Sequence, residues 1–190
     1  MSALRLVLKS CFDGLRLQLE DMDIQKSASS PSFAGSALLV LAAVVPVFAT
    51  SVLGSIATMP QIPGWYTTIV RPSFNPPNWV FGPAWTILFI MMAYAFWRVL
   101  RLDPKTPGRG AAIALFLVQL VFNASWSWAF FWGQSPLAGL VVIAFLWVSI
   151  AATIVSFWWL ERTAGLLLVP YLAWVSFASA LNFAIFVLNR

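Results

Sequence analysis

The chain reads as an all-α membrane protein, a bundle of five transmembrane helices with a proline-rich structured loop between helices 1 and 2. Three observations predict this. Of 190 residues, 61% are apolar and only 9% charged, against about 25% charged in a soluble domain, so the chain cannot coat itself for water. Five apolar runs lie at about 34–58, 78–98, 111–132, 137–160 and 164–188, each long enough for the ~20 residues that a bilayer core requires. Lipid leaves exposed backbone groups without partners, and a membrane barrel would show short alternating strands, so the runs are helices.

Residues 1–32 form an extension of different character, amphipathic or disordered. LRLVLKSCFDGLRLQLEDM has apolar positions at helical spacing, but its basic residues Arg5, Lys9, Arg16 and Lys26 are balanced by Asp13, Glu20, Asp21 and Asp23. Neither a secretory signal nor a mitochondrial presequence has that pattern. Ser27–Ser32 reads as a linker, and residues 33–190 make the transmembrane domain. Pro46, Pro83 and Pro170 fall inside three of the runs, where each is expected to bend its helix. Between the first two runs stands Arg71-Pro72-Ser73-Phe74-Asn75-Pro76-Pro77. Its prolines fix φ, remove backbone donors and push the preceding residues toward extended geometry, as a stiff lid would need.

Lys and Arg counts set the topology. With five spans, the amino terminus shares a side with the second and fourth loops, and that side holds nine basic residues against two, Arg71 and Arg190, on the other. Nine against two puts the amino terminus inside and the lid outside. The expected place is a bacterial cell membrane with a cytoplasmic amino terminus, or the mitochondrial outer membrane in a eukaryote.

Composition excludes several chemistries. The chain has one cysteine and no histidine, so it lacks a disulfide framework and the commonest metal ligand and neutral-pH acid/base. Beyond residue 32 the carboxylates are Asp103 and Glu161, both in polar connections. Paired-carboxylate catalysis and metal cages are not expected. The net charge of +5 comes from residues flanking apolar runs rather than from a basic stripe, so no nucleic-acid partner is expected.

The eleven tryptophans divide by depth. Trp79, Trp97, Trp132, Trp158 and Trp159 fall near span ends, where an interfacial belt is expected. Trp85, Trp126 and Trp174 lie inside spans. At the helical rise, these rings together with Asn123, Ala178 and Asn182 sit mostly roughly 9–15 Å below the outer surface. Gln119, Asn123 and Trp126 share one face, as do Trp174, Ala178 and Leu181. An amide in hydrocarbon is unfavourable unless paired, and joining helices is one use for Asn123 and Asn182. Large aromatics at the same level point to a cavity roofed by the loop at 59–77. Such a cavity suits a large, flat, mostly apolar ligand, with Arg71 available to a carboxylate at its edge. Without histidine it lacks the usual haem axial ligand, so a metal-free macrocycle or a sterol fits better.

Three blocks carry a family resemblance. They are Trp65-Tyr66 through Arg71-Pro72-x-Phe74-x-Pro76-Pro77-x-Trp79-x-Phe81-x3-Trp85, then Gln119-Leu120-x2-Asn123-x2-Trp126-Ser127-x2-Phe130-Phe131, then Pro170-Tyr171-x2-Trp174-x2-Phe177-Ala178-x2-Leu181-Asn182. Over about 38–190 the chain resembles the TspO/MBR family, the tryptophan-rich sensory proteins and the mitochondrial translocator protein. The resemblance implies a five-helix bundle, commonly dimeric, that binds protoporphyrin-like tetrapyrroles and, in some members, sterols and synthetic benzodiazepine-type ligands. By motif position it puts Tyr66, Trp85, Asn123, Trp126, Trp174 and Ala178 at the ligand. It requires no cofactor and no metal. Trp85 and Trp174 match the pair linked in some members to light- and oxygen-dependent porphyrin breakdown, and would be catalytic only in an enzyme. Leu181-x4-Phe186-x3-Arg190 departs from the sterol signature of animal members, with phenylalanine where tyrosine stands there. The expected function is tetrapyrrole binding in sensing, regulation or transport. A porphyrin-degrading enzyme and a sterol- or lipid-binding transporter are the alternatives.

Overall fold

A computed structural model describes residues 33–190; the expectation for the 1–32 extension lies outside them. The elements run α1 (Phe33–Thr58), α2 (Trp65–Thr68), α3 (Asn78–Leu100), α4 (Arg109–Ser127), a π-helical turn (Trp128–Trp132), α5 (Pro136–Leu160), α6 (Arg162–Leu167) and α7 (Val169–Leu188). Among the described residues all regular structure is helical. Five stretches are long and apolar enough to cross a membrane: Gly35–Thr58, Asn78–Leu100, Arg109–Trp132, Pro136–Leu160 and Arg162–Leu188. These match the five apolar runs to within two residues. The protein is a multi-pass integral membrane protein.

Large apolar side chains point outward along the spans, among them Phe48, Ile90, Val121, Phe145 and Trp159. In water that surface would be a severe liability; in lipid it is the solvated face. One aromatic part of the core lies at the end remote from the 59–77 loop. There Phe116 stacks between Phe96 at 4.2 Å and Phe157 at 5.7 Å, joining α3, α4 and α5 through three buried rings.

Polar groups fix the same end. Arg98 at the end of α3 donates from Nε and Nη2 to the two carboxylate oxygens of Glu161, at 2.9 and 3.0 Å. Glu161 also accepts from the Ala164 N–H, capping α6. Burial pushes the Glu161 carboxyl up, but the hydrogen bonds from Arg98 and Ala164 outweigh it and hold the group below the usual carboxylate range. Arg109 donates to the Val99 and Leu100 carbonyls at the end of α3.

Two local departures from the sequence expectation have clear causes. Pro170 does not bend a continuous helix. The fifth span breaks at Leu168, and Pro170 stands in the first turn of α7, where its missing N–H would be unpaired anyway. The 59–77 loop is not wholly irregular, because Trp65–Thr68 form one helical turn. That turn is closed by Thr67 and Thr68 hydroxyls donating to the Gly64 and Trp65 carbonyls.

Candidate ligand-binding site

The fourth helix prepares one wall of the site by ending irregularly. The Gly133 N–H reaches back five residues to the Trp128 carbonyl at 2.7 Å, the signature of π-helical winding. That wider turn keeps Phe130 stacked on Trp126 at 5.4 Å and sets Phe131 edge-on to it at 5.8 Å. The three rings make one aromatic surface.

The loop closes over this surface. Tyr66, 5% exposed, tilts against Phe131 at 5.6 Å, and Trp65 meets Phe130 edge-on at 5.6 Å. The Tyr66 hydroxyl donates to Asn75 Oδ1 at 2.9 Å, tying the helical turn to the proline-rich stretch. Arg71 stands 5.5 Å above the Tyr66 ring. Burial raises the Tyr66 hydroxyl above the ordinary phenol range, and the charge of Arg71 offsets part of that rise. The loop is anchored at both flanks. Asn189, just after α7, accepts from the Val70 N–H and donates to the Val70 carbonyl, each at 2.9 Å. Gln134 donates to Gln61 Oε1 at 3.1 Å.

Beneath the loop lies a cavity of about 570 Å³, within the range of ligand pockets. Thr50, Gly54 and Thr58 of α1 line it on one side, Phe81, Trp85 and Phe89 of α3 on another. Asn123, Trp126, Ser127, Phe130 and Phe131 form the aromatic wall, and Leu181, Asn182 and Ile185 of α7 complete it. Tyr66 reaches in from the loop. A separate groove of about 480 Å³ between α1 and α4, lined by Leu53, Val121 and Trp128 among others, contains none of the predicted site residues.

Four of the six predicted site residues, Tyr66, Trp85, Asn123 and Trp126, therefore line one cavity. Trp174 and Ala178 do not line it. Trp174 packs edge-on to Phe81 at 5.9 Å, on a ring that itself lines the cavity, and tilts against Phe177 at 5.7 Å. Ala178 is buried in the helix core. Trp85 stacks on Phe89 at 5.4 Å and meets Tyr171 edge-on at 6.2 Å.

The two asparagines differ. Asn182 has both ends engaged, its Oδ1 accepting from Trp126 Nε1 at 3.1 Å and its Nδ2 donating to the Pro136 carbonyl at 2.8 Å. Asn123 donates through Nδ2 to the Tyr171 hydroxyl at 2.7 Å. Gly139 of α5 makes room for this corner, since a Cβ there would stand 2.7 Å from Asn182 Oδ1 and 3.0 Å from the Phe130 ring. Sequence reasoning assigned no role to Tyr171, Phe81 or the α1 wall. The Thr50, Gly54, Thr58 spacing at i, i+4, i+8 was the available signal for that wall.

Fold and site together define an α-helical membrane protein of five spans with an aromatic cavity closed by a braced loop. Comparison with known proteins gives the particular family. The chain matches the TspO/MBR family over residues 42–188 and belongs to it. It is 52% identical over 136 residues, 72% of this chain and 86% of the relative, to the tryptophan-rich protein TspO of Chlorobaculum tepidum. It is 41% identical over 125 residues, 66% of this chain and 77% of the relative, to the tryptophan-rich sensory protein of Cereibacter sphaeroides. Identity to the human translocator protein is 34% over 122 residues, 64% of this chain and 72% of the relative.

Proposed function

We propose that this protein binds a metal-free, protoporphyrin-like tetrapyrrole within the membrane and acts in its sensing, regulation or transport. The observation that carries the proposal is the convergence of Tyr66, Trp85, Asn123 and Trp126 on one cavity under the loop. Aromatic walls favour a flat conjugated ring, each contact adding ~0.5–1.5 kcal/mol beyond area burial. Among the described residues no charged side chain lines the cavity, which suits the apolar body of such a ligand. Arg71, held over Tyr66 at the roof, is available to a peripheral carboxylate. Relatives named as a sensory protein and as a translocator protein support the sensing and movement parts of the reading. The excess of basic residues at the amino-terminal side supports a cytoplasmic amino terminus in a cell membrane.

The test is titration of the purified full chain in detergent micelles with protoporphyrin IX, following tryptophan fluorescence. Saturable quenching, absent from a control membrane protein in the same micelles, is the expected result. Quenching that grows without saturation and equals the control's contradicts the proposal.

A further inference from the structure

We infer that the end of the bundle remote from the 59–77 loop carries a headgroup site for an anionic membrane phospholipid. Arg101 and Arg162 hold its phosphate beside the Arg98–Glu161 pair, and an acyl chain lies along the outer face of α3. The site is independent of what the cavity binds.

Position in the chain sets these charges at a membrane boundary. Arg98 and Arg101 stand at the end of α3, Lys105 in the connection that follows, Arg109 at the start of α4 and Arg162 at the start of α6. Two of the four guanidinium groups are engaged within the protein. Arg98 donates from Nε and Nη2 to Glu161 and from Nη1 to the Tyr94 hydroxyl at 3.3 Å. Arg109 donates from Nε and Nη2 to backbone carbonyls. Among the described residues at this end the ion pair is Arg98 with Glu161, while Asp103 accepts the Lys105 N–H at 2.7 Å.

Arg101 and Arg162 are exposed, and among the described residues they meet rings rather than carboxylates. Arg101 stands 4.6 Å above the Trp97 ring and Arg162 6.0 Å above the Trp158 ring. A ring beneath a guanidinium steadies the side chain and leaves its forked N–H donors for a phosphate. Both arginines adjoin one junction, since Arg101 lies one turn beyond Arg98 and Arg162 follows Glu161. The charges of Arg98 and Glu161 cancel, so the net charge of the junction is that of the two remaining arginines.

The surface beside them selects a lipid over a soluble anion. Ile87, Ile90 and Tyr94 are exposed, and their spacing puts them on the same face of α3 as Trp97 and Arg101. This apolar stripe ends in a cation seated on an indole ring. A phospholipid matches both parts, an acyl chain along the isoleucines and a phosphate at the arginine.

The full chain is exchanged into mixed micelles holding equal amounts of phosphatidylglycerol and phosphatidylcholine, and retained lipid is counted by native mass spectrometry. The parent is expected to retain phosphatidylglycerol in preference to phosphatidylcholine. Arg101→Gln and Arg162→Gln should each weaken that retention about fivefold. Lys105→Gln removes the same charge from the same end, from a side chain without an aromatic seat, and should weaken it less than about twofold. All three positions are exposed, so the variants fold as the parent does. Equal losses in the three variants would show a diffuse surface field rather than a site and overturn the inference. A parent without preference overturns it, as does a loss confined to one of the two arginines. Displacement of the lipid by millimolar inorganic phosphate would reveal a free-anion site and overturn it as well.

Discussion

Replacing Gly139 by alanine tests whether the corner that holds Trp126 is packed as described. The added Cβ would lie 2.7 Å from Asn182 Oδ1 and 3.0 Å from Phe130 Cδ2, where ordinary contact begins near 3.4 Å. The shortfall, about 0.7 Å at the oxygen and 0.4 Å at the ring, falls on two groups that cannot both retreat. Asn182 is held between Trp126 and Pro136, and Phe130 is stacked on Trp126. Overpacking of this kind costs about 1–3 kcal/mol, and strain or loss of one hydrogen bond adds about 0.5–1.5 kcal/mol. The helix-propensity gain of alanine over glycine, about 1 kcal/mol, opposes these. Net destabilisation of roughly 1–3 kcal/mol is expected, with weaker protoporphyrin binding as the Trp126 ring shifts. Gly110→Ala is the control, because a Cβ there meets nothing within 4 Å. Thermal unfolding in micelles, followed by near-ultraviolet circular dichroism, compares the two. If Gly139→Ala melts and binds like Gly110→Ala, the reasoning about this corner is refuted.

Further outcomes follow from the same geometry. Trp85→Phe is expected to weaken protoporphyrin binding about two- to tenfold, and Trp174→Phe less, because Trp85 lines the cavity whereas Trp174 backs Phe81; fluorescence titration of both variants checks the order. Glu161 has a folded pKa below its unfolded one, so the stability it contributes is present above the usual carboxylate range and is lost as pH falls through the lowered value. Melting curves from neutral to acid pH should show a decline that is reduced in Glu161→Gln. Asn189→Ala removes both hydrogen bonds to Val70 and should speed ligand release severalfold with little change in melting temperature; stopped-flow displacement measures it.

Span positions were legible in the sequence because hydrocarbon imposes a length and a composition that few other environments demand. Trp85, Asn123 and Trp126, set too far inside their spans for interfacial anchoring, line one cavity. Rotation about each helix axis was not legible at that resolution. Trp174 packs against Phe81 and Phe177 and does not line the cavity. Hydrogen-bond partners were also beyond reach. Asn123 and Asn182 look alike as buried amides, yet among the described residues Asn182 bonds through both its oxygen and its nitrogen and Asn123 through its nitrogen alone. The π-helical turn that arranges Phe130 and Phe131 has no signature in WAFFW, whose residues would continue an ordinary helix equally well.

A tetrapyrrole is proposed to occupy the space beneath the braced loop. Structure determination of the full chain with protoporphyrin IX bound addresses it directly. Macrocycle density is expected inside the cavity, in van der Waals contact with Trp85 and Trp126 and with a carboxylate near Arg71. Density confined to the outer groove between α1 and α4, with the cavity unchanged, would contradict it.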